Sequence, residues 1–406
     1  MLVKGYGATD VGCYRENNED NYLVDTDLGL YMVCDGMGGA AAGEVASQTV
    51  VSAVHSFIKA QTLPPASDEN APKTLVNIVR GSVEHACSEV QKLIEGNEKL
   101  RGMGTTMTLL LVAGDKAVMG HIGDSRLYLK RRGEVHQISS DHTLASEMLR
   151  QGRIKPDSLE DNPYAHVLTK AIGPQPSVQA DIVIFELVPD DICLLCSDGL
   201  SGSVNNPVEL TKLLNKEASE ELLKDLIELA KERDGDDNIT AVLVEAQEDG
   251  ANQIAERKRC NEVYLQTEVL KQVYLFQDLS LQELFQVHHL LWIADYQKGS
   301  AVVREGEQSD SLYIILEGRL NVKRGETEVA TLTAGEHFGE VSLLSSSPRT
   351  ATVETLEDSR LLILDKDAFV ALTRENSVLG VKLLWRLAIE FGARLDRANA
   401  LLEANC

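Results

Sequence analysis

No apolar run in this chain approaches the roughly 20 residues that a bilayer-spanning helix requires, and the opening Met1-Leu-Val-Lys-Gly-Tyr-Gly7 lacks the apolar core of a secretory signal. Positive charge is scarce: 39 Lys and Arg stand against 63 Asp and Glu, a net charge of −24 with a pI near 4.8. That deficit argues against a nucleic-acid-binding surface and against docking on an anionic membrane. Cysteine is sparse, with 7 scattered residues in 406, which suits a reducing compartment better than a disulfide framework. Cys193 and Cys196 mimic a redox or zinc spacing, but three residues apart on a strand they point to opposite faces and read as core thiols. The 9 histidines show no metal-ligand spacing, and the adjacent His288 and His289 read as helix residues. The expectation is a cytoplasmic protein that engages neither nucleic acid nor membrane.

What is present is a set of apolar strands that end in carboxylates. Leu30-Tyr-Met-Val-Cys-Asp-Gly-Met-Gly-Gly39 is an apolar run that stops at Asp35 and a glycine cluster, where the backbone can turn sharply and a ligand can approach the main chain. Val118-Met-Gly-His-Ile-Gly-Asp-Ser125 runs into Asp124, and Ile192-Cys-Leu-Leu-Cys-Ser-Asp-Gly199 into Asp198. A fourth strand starts at Asp237. Carboxylates gathered at strand ends, without clustered His or Cys, point to a hard cation such as Mg²⁺ or Mn²⁺. Taken singly, each would read as a turn or cap residue. As a set they would be costly to desolvate without cations.

At 406 residues the chain can bury two cores. Apolar positions at helical spacing predict amphipathic helices over 43–60 and over 74–94, the second with Leu93 on its apolar face. From Thr105 to Ile138 short strands follow one another through hairpin-like breaks, so the sheet is expected to be largely antiparallel. Residues 141–171 have few apolar anchors and read as a mobile flap over the sheet edge that shapes substrate choice. Helices are expected near 207–232, a closing strand over 238–245 and a connecting helix over 252–275. The remainder reads as short strands punctuated by Gly299, Gly306, Gly318, Gly325 and Gly335, with a long amphipathic segment at 378–403. The division is therefore 1–247, a linker at 248–274, and 275–406.

The ordered set Arg15-x-x-x-Glu19-Asp20, Asp35-Gly-Met-Gly-Gly39, Met103-Gly-Thr-Thr106, Gly123-Asp-Ser-Arg126, Ser140-Asp-His142, Ser197-Asp-Gly199 and Asp237-Asn-Ile-Thr240 resembles the PPM-type metal-dependent serine/threonine protein phosphatases over about residues 4–246. The resemblance implies an α+β fold, an antiparallel β-sandwich flanked by helices (αββα), with two or three Mg²⁺ or Mn²⁺ ions between the sheets. Such ions activate water at neutral pH and hold phosphoryl oxygens for in-line attack. By resemblance Asp35 bridges two ions, the Gly36 carbonyl joins one, and Asp198 and Asp237 complete the other. Asp124 shares a third, weaker ion with Asp198, and Glu19 and Asp20 serve as metal or water-shell partners. Arg15, Asp35 and Asp198 are the catalytic set, with the planar fork of Arg15 as clamp on the phosphate. One departure stands out: some relatives carry a histidine after Asp-Gly, proposed to protonate the leaving alkoxide, where this chain has Met37.

In the second half, Gly335-Glu-His-Phe-Gly-Glu-Val-Ser-Leu-Leu344 followed by Pro348-Arg-Thr-Ala-Thr-Val353 resembles the phosphate cassette of cyclic nucleotide-binding domains, a β-roll with terminal helices, over about 275–400. The resemblance places Gly339, Glu340, Val341, Ser342, Arg349, Thr350 and Ala351 around the ligand. Backbone N–H groups at Gly339 would seat the anion, Arg349 would pair with the cyclic phosphate, and Glu340 would accept the ribose 2′-hydroxyl. The ligand is cAMP or cGMP, with Thr350 able to bond a guanine amino group, and cAMP favoured. Relatives that are transcription factors follow this domain with a helix-turn-helix, for which no segment is expected before Cys406. The reading is a phosphatase acting on phosphoserine and phosphothreonine proteins, set by cyclic nucleotide, and able to pair as a homodimer through its C-terminal helix. A catalytically silent nucleotide sensor that holds phosphoproteins would have lost a metal carboxylate. A phosphatase with a degenerate nucleotide site would have lost Glu340 or Arg349.

Overall fold

The structure, a computed structural model, describes residues 1–406 except 39–41, 66, 67, 69, 160, 161, 251, 252, 346, 405 and 406, and except the side chains of 394 and 397–404. Gly39, the last glycine of the Asp35 turn, lies outside the described residues. Two compact units divide the chain, Met1–Glu256 and Arg257–Cys406.

In chain order the first unit runs β1 (Leu2–Asp10), β2 (Asn21–Asp25), β3 (Leu30–Cys34), β4 (Gly36–Met37), α1 (Ala42–Lys59), α2 (Ala71–Gly96), β5 (Gly104–Thr105), β6 (Met107–Ala113), β7 (Lys116–Ile122), β8 (Arg126–Arg131) and β9 (Glu134–Gln137). It continues α3 (Leu144–Arg150), β10 (Asp181–Glu186), β11 (Ile192–Cys196), α4 (Asp198–Ser201), α5 (Pro207–Leu214), α6 (Glu220–Arg233) and β12 (Ile239–Gln247). Ten strands form two five-stranded antiparallel sheets, ordered β1-β12-β11-β8-β9 and β10-β7-β6-β3-β2, and β4 pairs with β5.

The period-2 alternation of the strands explains the layering. Leu30, Met32, Leu109, Leu111 and Val118 share one core with the apolar faces of α1 and α2. Ile192, Leu194, Cys196, Ala241 and Leu243 share another with α5 and α6. The intervening positions Tyr31, Val33, Cys193, Leu195 and Val242 are equally buried and face the opposite sheet. Cys193 and Cys196 thus lie on opposite faces as expected. Gly5 shows how closely the sheets approach, since a Cβ there would stand 2.3 Å from the Tyr31 ring.

At the C-terminal end of α2 the core-facing stripe runs through Val90 and Ile94, so Leu93, expected on the apolar face, turns out to solvent and is exposed. The 141–171 segment departs further from expectation, because its first part is anchored. His142, Thr143 and Ala145 are buried, and the Thr143 hydroxyl caps α3 by accepting the Ser146 N–H at 3.2 Å.

In the second unit, α7 (Gln253–Gln272), which starts just before the boundary, is followed by α8 (Leu281–His288), β13 (Trp292–Tyr296), β14 (Ala301–Val303), β15 (Ser311–Glu317), β16 (Arg319–Arg324) and β17 (Thr327–Thr333). Then come β18 (His337–Phe338), β19 (Thr352–Thr355), β20 (Ser359–Asp365), α9 (Lys366–Glu375) and α10 (Ser377–Ala404). Two four-stranded sheets, β13-β20-β15-β18 and β14-β19-β16-β17, make the roll. Val269 and Leu270 of α7 enter its core with Leu312, Ile314 and Leu383. The helix expected as a connector therefore belongs for most of its length to the second unit. No helix among the described residues is long and apolar enough to cross a membrane.

Candidate metal centre and nucleotide cassette

Strand β3 delivers Asp35 to one end of the sandwich, and the Met103-Gly-Thr-Thr106 motif holds it there. The Asp35 N–H donates to Thr106 Oγ1 at 2.9 Å, and the Asp35 carbonyl accepts from Thr105 Oγ1 at 2.8 Å. Thr106 Oγ1 also lies 2.7 Å from Ser125 Oγ, so the turns carrying Asp35 and Asp124 are tied together beneath their carboxylates. Gly36 is required by sterics, because a Cβ there would stand 2.3 Å from the Gly43 carbonyl and 2.4 Å from the Glu19 carbonyl.

Asp198 opens the short helix α4 after β11, and Asp237 precedes β12. Asn238 knits the far side: its Oδ1 accepts the Glu19 N–H at 2.7 Å, and its Nδ2 donates to the carbonyls of Val11 and Asn17, both at 3.0 Å. These contacts hang the polar 11–20 loop beside the strand ends. Arg15 reaches back from that loop to Asp237, with Nη2 at 2.7 Å from Oδ2, while its side chain stays 53% exposed.

Arg15, Glu19, Asp35, Gly36, Asp124, Asp198 and Asp237 all line one cleft of about 510 Å³. Asp20 differs. It lies under the floor, buried, and accepts a hydrogen bond from Ser197 Oγ at 2.7 Å. The opposite wall comes from the 141–171 flap and the segment after it, with His166, Leu168, Thr169 and Lys170, and then Pro174. His166 is absent from the sequence reading. Its ring stands 3.8 Å from Asp198 Oδ2, and donor atoms of Asp124, His166 and Asp198 lie within 4.8 Å of one another.

The electrostatics are those of crowded acids. Burial pushes Asp20 up to about 7 against hydrogen bonds from Thr240 and Ser197. Burial and then the Asp198 charge push Asp124 up to about 8. Asp35 stands well above the usual carboxylate range through burial and its neighbours Asp20, Asp198 and Asp124. Glu19 and Asp237 are raised too, mainly by burial. Divalent cations reverse this by favouring the ionised form. The donor set, nearly all oxygen, fits Mg²⁺ or Mn²⁺. Asp198 Oδ1 is buried without a hydrogen-bond partner, as a ligand atom awaiting a cation would be.

In the second unit the cassette is assembled. Gly339 has φ 88°, a left-handed conformation that favours glycine, and a Cβ there would stand 2.3 Å from Arg349 Nη1. Arg349 is 7% exposed and donates through Nη2 to Ser309 Oγ at 2.6 Å and to the Ser311 carbonyl at 2.7 Å. Its guanidinium carbon sits 5.4 Å from the Tyr313 ring centroid, and its Nε is buried without a partner. Glu340 and Ser342 are buried, while Val341 and Thr350 are exposed.

Residues 15–244, more than half of the chain, match the protein phosphatase 2C family. The chain belongs to that family. Residues 293–376 match the cyclic nucleotide-binding domain. The phosphatase 2C unit is 37% identical over 245 residues to the serine/threonine protein phosphatase PstP of Mycobacterium tuberculosis, covering 60% of this chain and 45% of PstP. The chain thus spans about half the length of that relative. It is 33% identical over 251 residues to the protein phosphatase PhpP of Streptococcus pneumoniae, covering 60% of this chain and 97% of PhpP. A crystal structure of M. tuberculosis PstP/Ppp superposes with a TM-score of 0.55 at 34% identity, covering 61% of this chain and all of that one (100%). A structure of the PstP catalytic domain in complex with 2 manganese ions gives 0.54 at 34%, covering 61% and 99%.

Proposed function

We propose that this protein is a metal-dependent protein serine/threonine phosphatase whose activity is set by a cyclic nucleotide, cAMP, bound in the second unit. The observation that carries the reading is the convergence of Asp35, Asp124, Asp198 and Asp237 with Arg15 on one cleft. Asp35, the Gly36 carbonyl, Asp198 and Asp237 would hold two Mg²⁺ or Mn²⁺ ions, and Asp124 with Asp198 a third. Bound there, the ions supply an activated water and charge neutralisation for the phosphoryl group.

The chain's own groups do the rest. Thr105, Thr106 and Asn238 hold the carboxylate-bearing turns rigid, so little reorganisation is needed at the moment of reaction. Arg15, exposed and on the rim, presents a planar fork to the phosphate of a phosphoserine or phosphothreonine protein. Met37 has no proton to give, so the leaving alkoxide takes its proton from another group. Glu19 in the cleft lining and Asp20 beneath the floor would serve as metal or water-shell partners.

In the cassette, Arg349 would exchange its Ser309 and Ser311 partners for the cyclic phosphate, with Gly339, Val341, Ser342, Thr350 and Ala351 around it. Glu340 would take the ribose hydroxyl. A ligand shifts activity only through different affinities for two arrangements, here through the packing of α7. A coupling of roughly 1 to 3 kcal/mol corresponds to several-fold up to about a hundredfold. The exposed Val378, Val381, Trp385 and Leu395 of α10 fall on one seam of a 3.5-residue repeat, which supports a homodimer through that helix. The net charge of −24 supports a protein that avoids nucleic acid and anionic membranes, and the free cysteines support a reducing, cytoplasmic compartment. The test is manganese-dependent hydrolysis of a phosphothreonine peptide, titrated with each nucleotide. Turnover that responds to cAMP is expected, and absence of turnover with manganese saturating would overturn the reading.

A further inference from the structure

Behind the cleft, one half-buried carboxylate joins two segments that face it. Asp181, the first residue of β10, has both oxygens engaged: Oδ2 lies 3.1 Å from His142 Nε2, and Oδ1 accepts from Lys170 Nζ at 2.8 Å. His142 is the hub on one side. Its backbone N–H donates to the Gly123 carbonyl at 2.8 Å, and its Nδ1 accepts the Gly123 N–H at 3.1 Å. Because Nδ1 is an acceptor, the ring proton resides on Nε2 and points at Asp181. Lys170 is the hub on the other side. It lines the cleft from the base of the flap, and the preceding Thr169 N–H donates to the His142 carbonyl at 2.8 Å.

A packed sheet could hold these segments without ions, so the charged arrangement calls for a reason. His142 is buried and stacks on the His121 ring at 4.9 Å, and Asp181 pairs in register with His121 of β7. Burial would raise the Asp181 carboxyl, yet hydrogen bonds from His142 and Lys170 hold it well below the usual carboxylate range. A partly buried anion of this kind keeps its geometry only while both donors stay in place. The turn it fixes through His142 is Gly123-Asp124, and the segment it fixes through Lys170 carries Leu168 and Thr169 into the cleft.

We propose that Asp181 is a positioning residue for the metal subsite at Asp124. Through His142 it sets the turn that presents the Asp124 carboxylate, and through Lys170 it locks the flap base to that turn, so that ion occupancy at Asp124 and flap order rise and fall together. The inference rests on the reading of Asp124 as a ligand of the third, weaker ion.

The test is calorimetric titration of Mn²⁺ into the full chain, with amide hydrogen exchange as a second readout. Wild-type protein should bind two ions tightly and one weakly. Asp181→Asn should leave the tight pair intact, weaken the third ion by about ten- to hundredfold, as removal of an outer-shell partner does, and speed exchange at both Gly123 and Thr169. In an Asp124→Asn background, Asp181→Asn should cause no further loss of Mn²⁺ affinity. An unchanged third-ion affinity in folded Asp181→Asn protein overturns the proposal. Should that variant fail to fold, Lys170→Met, which keeps the His142–Asp181 pair, takes its place with the same expectation and the same overturning result. A wild-type protein with no third ion would instead overturn the assignment of Asp124 itself, and the proposal with it.

Discussion

The Arg15 guanidinium and the Asp237 carboxylate meet at 2.7 Å on the rim of the cleft, although the two residues are 222 positions apart. Arg15 also donates from Nε to the Asp236 carbonyl at 3.2 Å. These contacts hold a long, exposed side chain over the acidic floor with part of its fork in use. The same guanidinium cannot serve Asp237 and a phosphate at full strength, so an incoming phosphate must compete for it.

Replacing Arg15 by Lys keeps the charge and removes the fork. Loss of a bidentate contact to a charged group costs about 1.5 to 3 kcal/mol, roughly ten- to hundredfold in kcat/KM. Steady-state kinetics on an aryl phosphate with manganese saturating would measure it. A variant as efficient as wild type would remove Arg15 from the phosphate site.

Gly36→Ala should destabilise the protein by at least about 2 kcal/mol through overpacking, since its Cβ would meet backbone carbonyls of Gly43 and Glu19. Gly96→Ala, at the last residue of α2, is the control: nothing stands within 4 Å of that Cβ, and alanine is the better helix former. Urea denaturation of both variants checks the pair. A Gly36→Ala protein as stable as Gly96→Ala would contradict the packing of that turn.

His121 predicts an acid-labile fold. Burial, and then the neighbouring His142 ring, lower it from the ordinary 6.5 to about 4. The unfolded chain therefore binds the extra proton first, so stability is full above about pH 6.5 and falls as pH drops toward 4, by about 3 kcal/mol in all. Unfolding free energies measured between pH 7.5 and 5.5 should fall more steeply for wild type than for His121→Gln. Parallel slopes would count against a neutral buried imidazole.

Arg349→Ala should abolish cyclic nucleotide binding and the response of activity together, because the buried guanidinium is the cassette's cation beside Gly339. Turnover of a small aryl phosphate should stay at its nucleotide-free level. Retained cAMP binding by calorimetry would place the anion elsewhere.

The strand-end carboxylates were legible because each apolar run stops at an aspartate with glycine or serine beside it, a local signal in Asp35, Asp124 and Asp198. His166 left no such mark. Its neighbours Tyr164, Ala165 and Val167 show no period, and it meets Asp124 and Asp198 only through the fold. The Asp181–His142 contact is equally invisible, since it depends on β10 pairing with β7. Asp20 reads beside Glu19 as a metal or water-shell partner, and the sequence does not show that it turns under the floor toward Ser197 while Glu19 lines the cleft. In the sequence the flap looks weakly anchored because its anchors are polar, His142 and Thr143, and hydropathy does not register them. Likewise Val269 and Leu270 of α7 look sparse along the helix, yet they bury within the second unit's core.

The most direct test of the central claim is phosphopeptide hydrolysis by wild type and Asp35→Asn across a manganese titration, with thermal unfolding of both proteins as a check on folding. The account predicts manganese-dependent turnover in wild type, and no turnover at any manganese concentration in an Asp35→Asn protein that unfolds cooperatively. Wild-type rates in that variant with manganese saturating would contradict it.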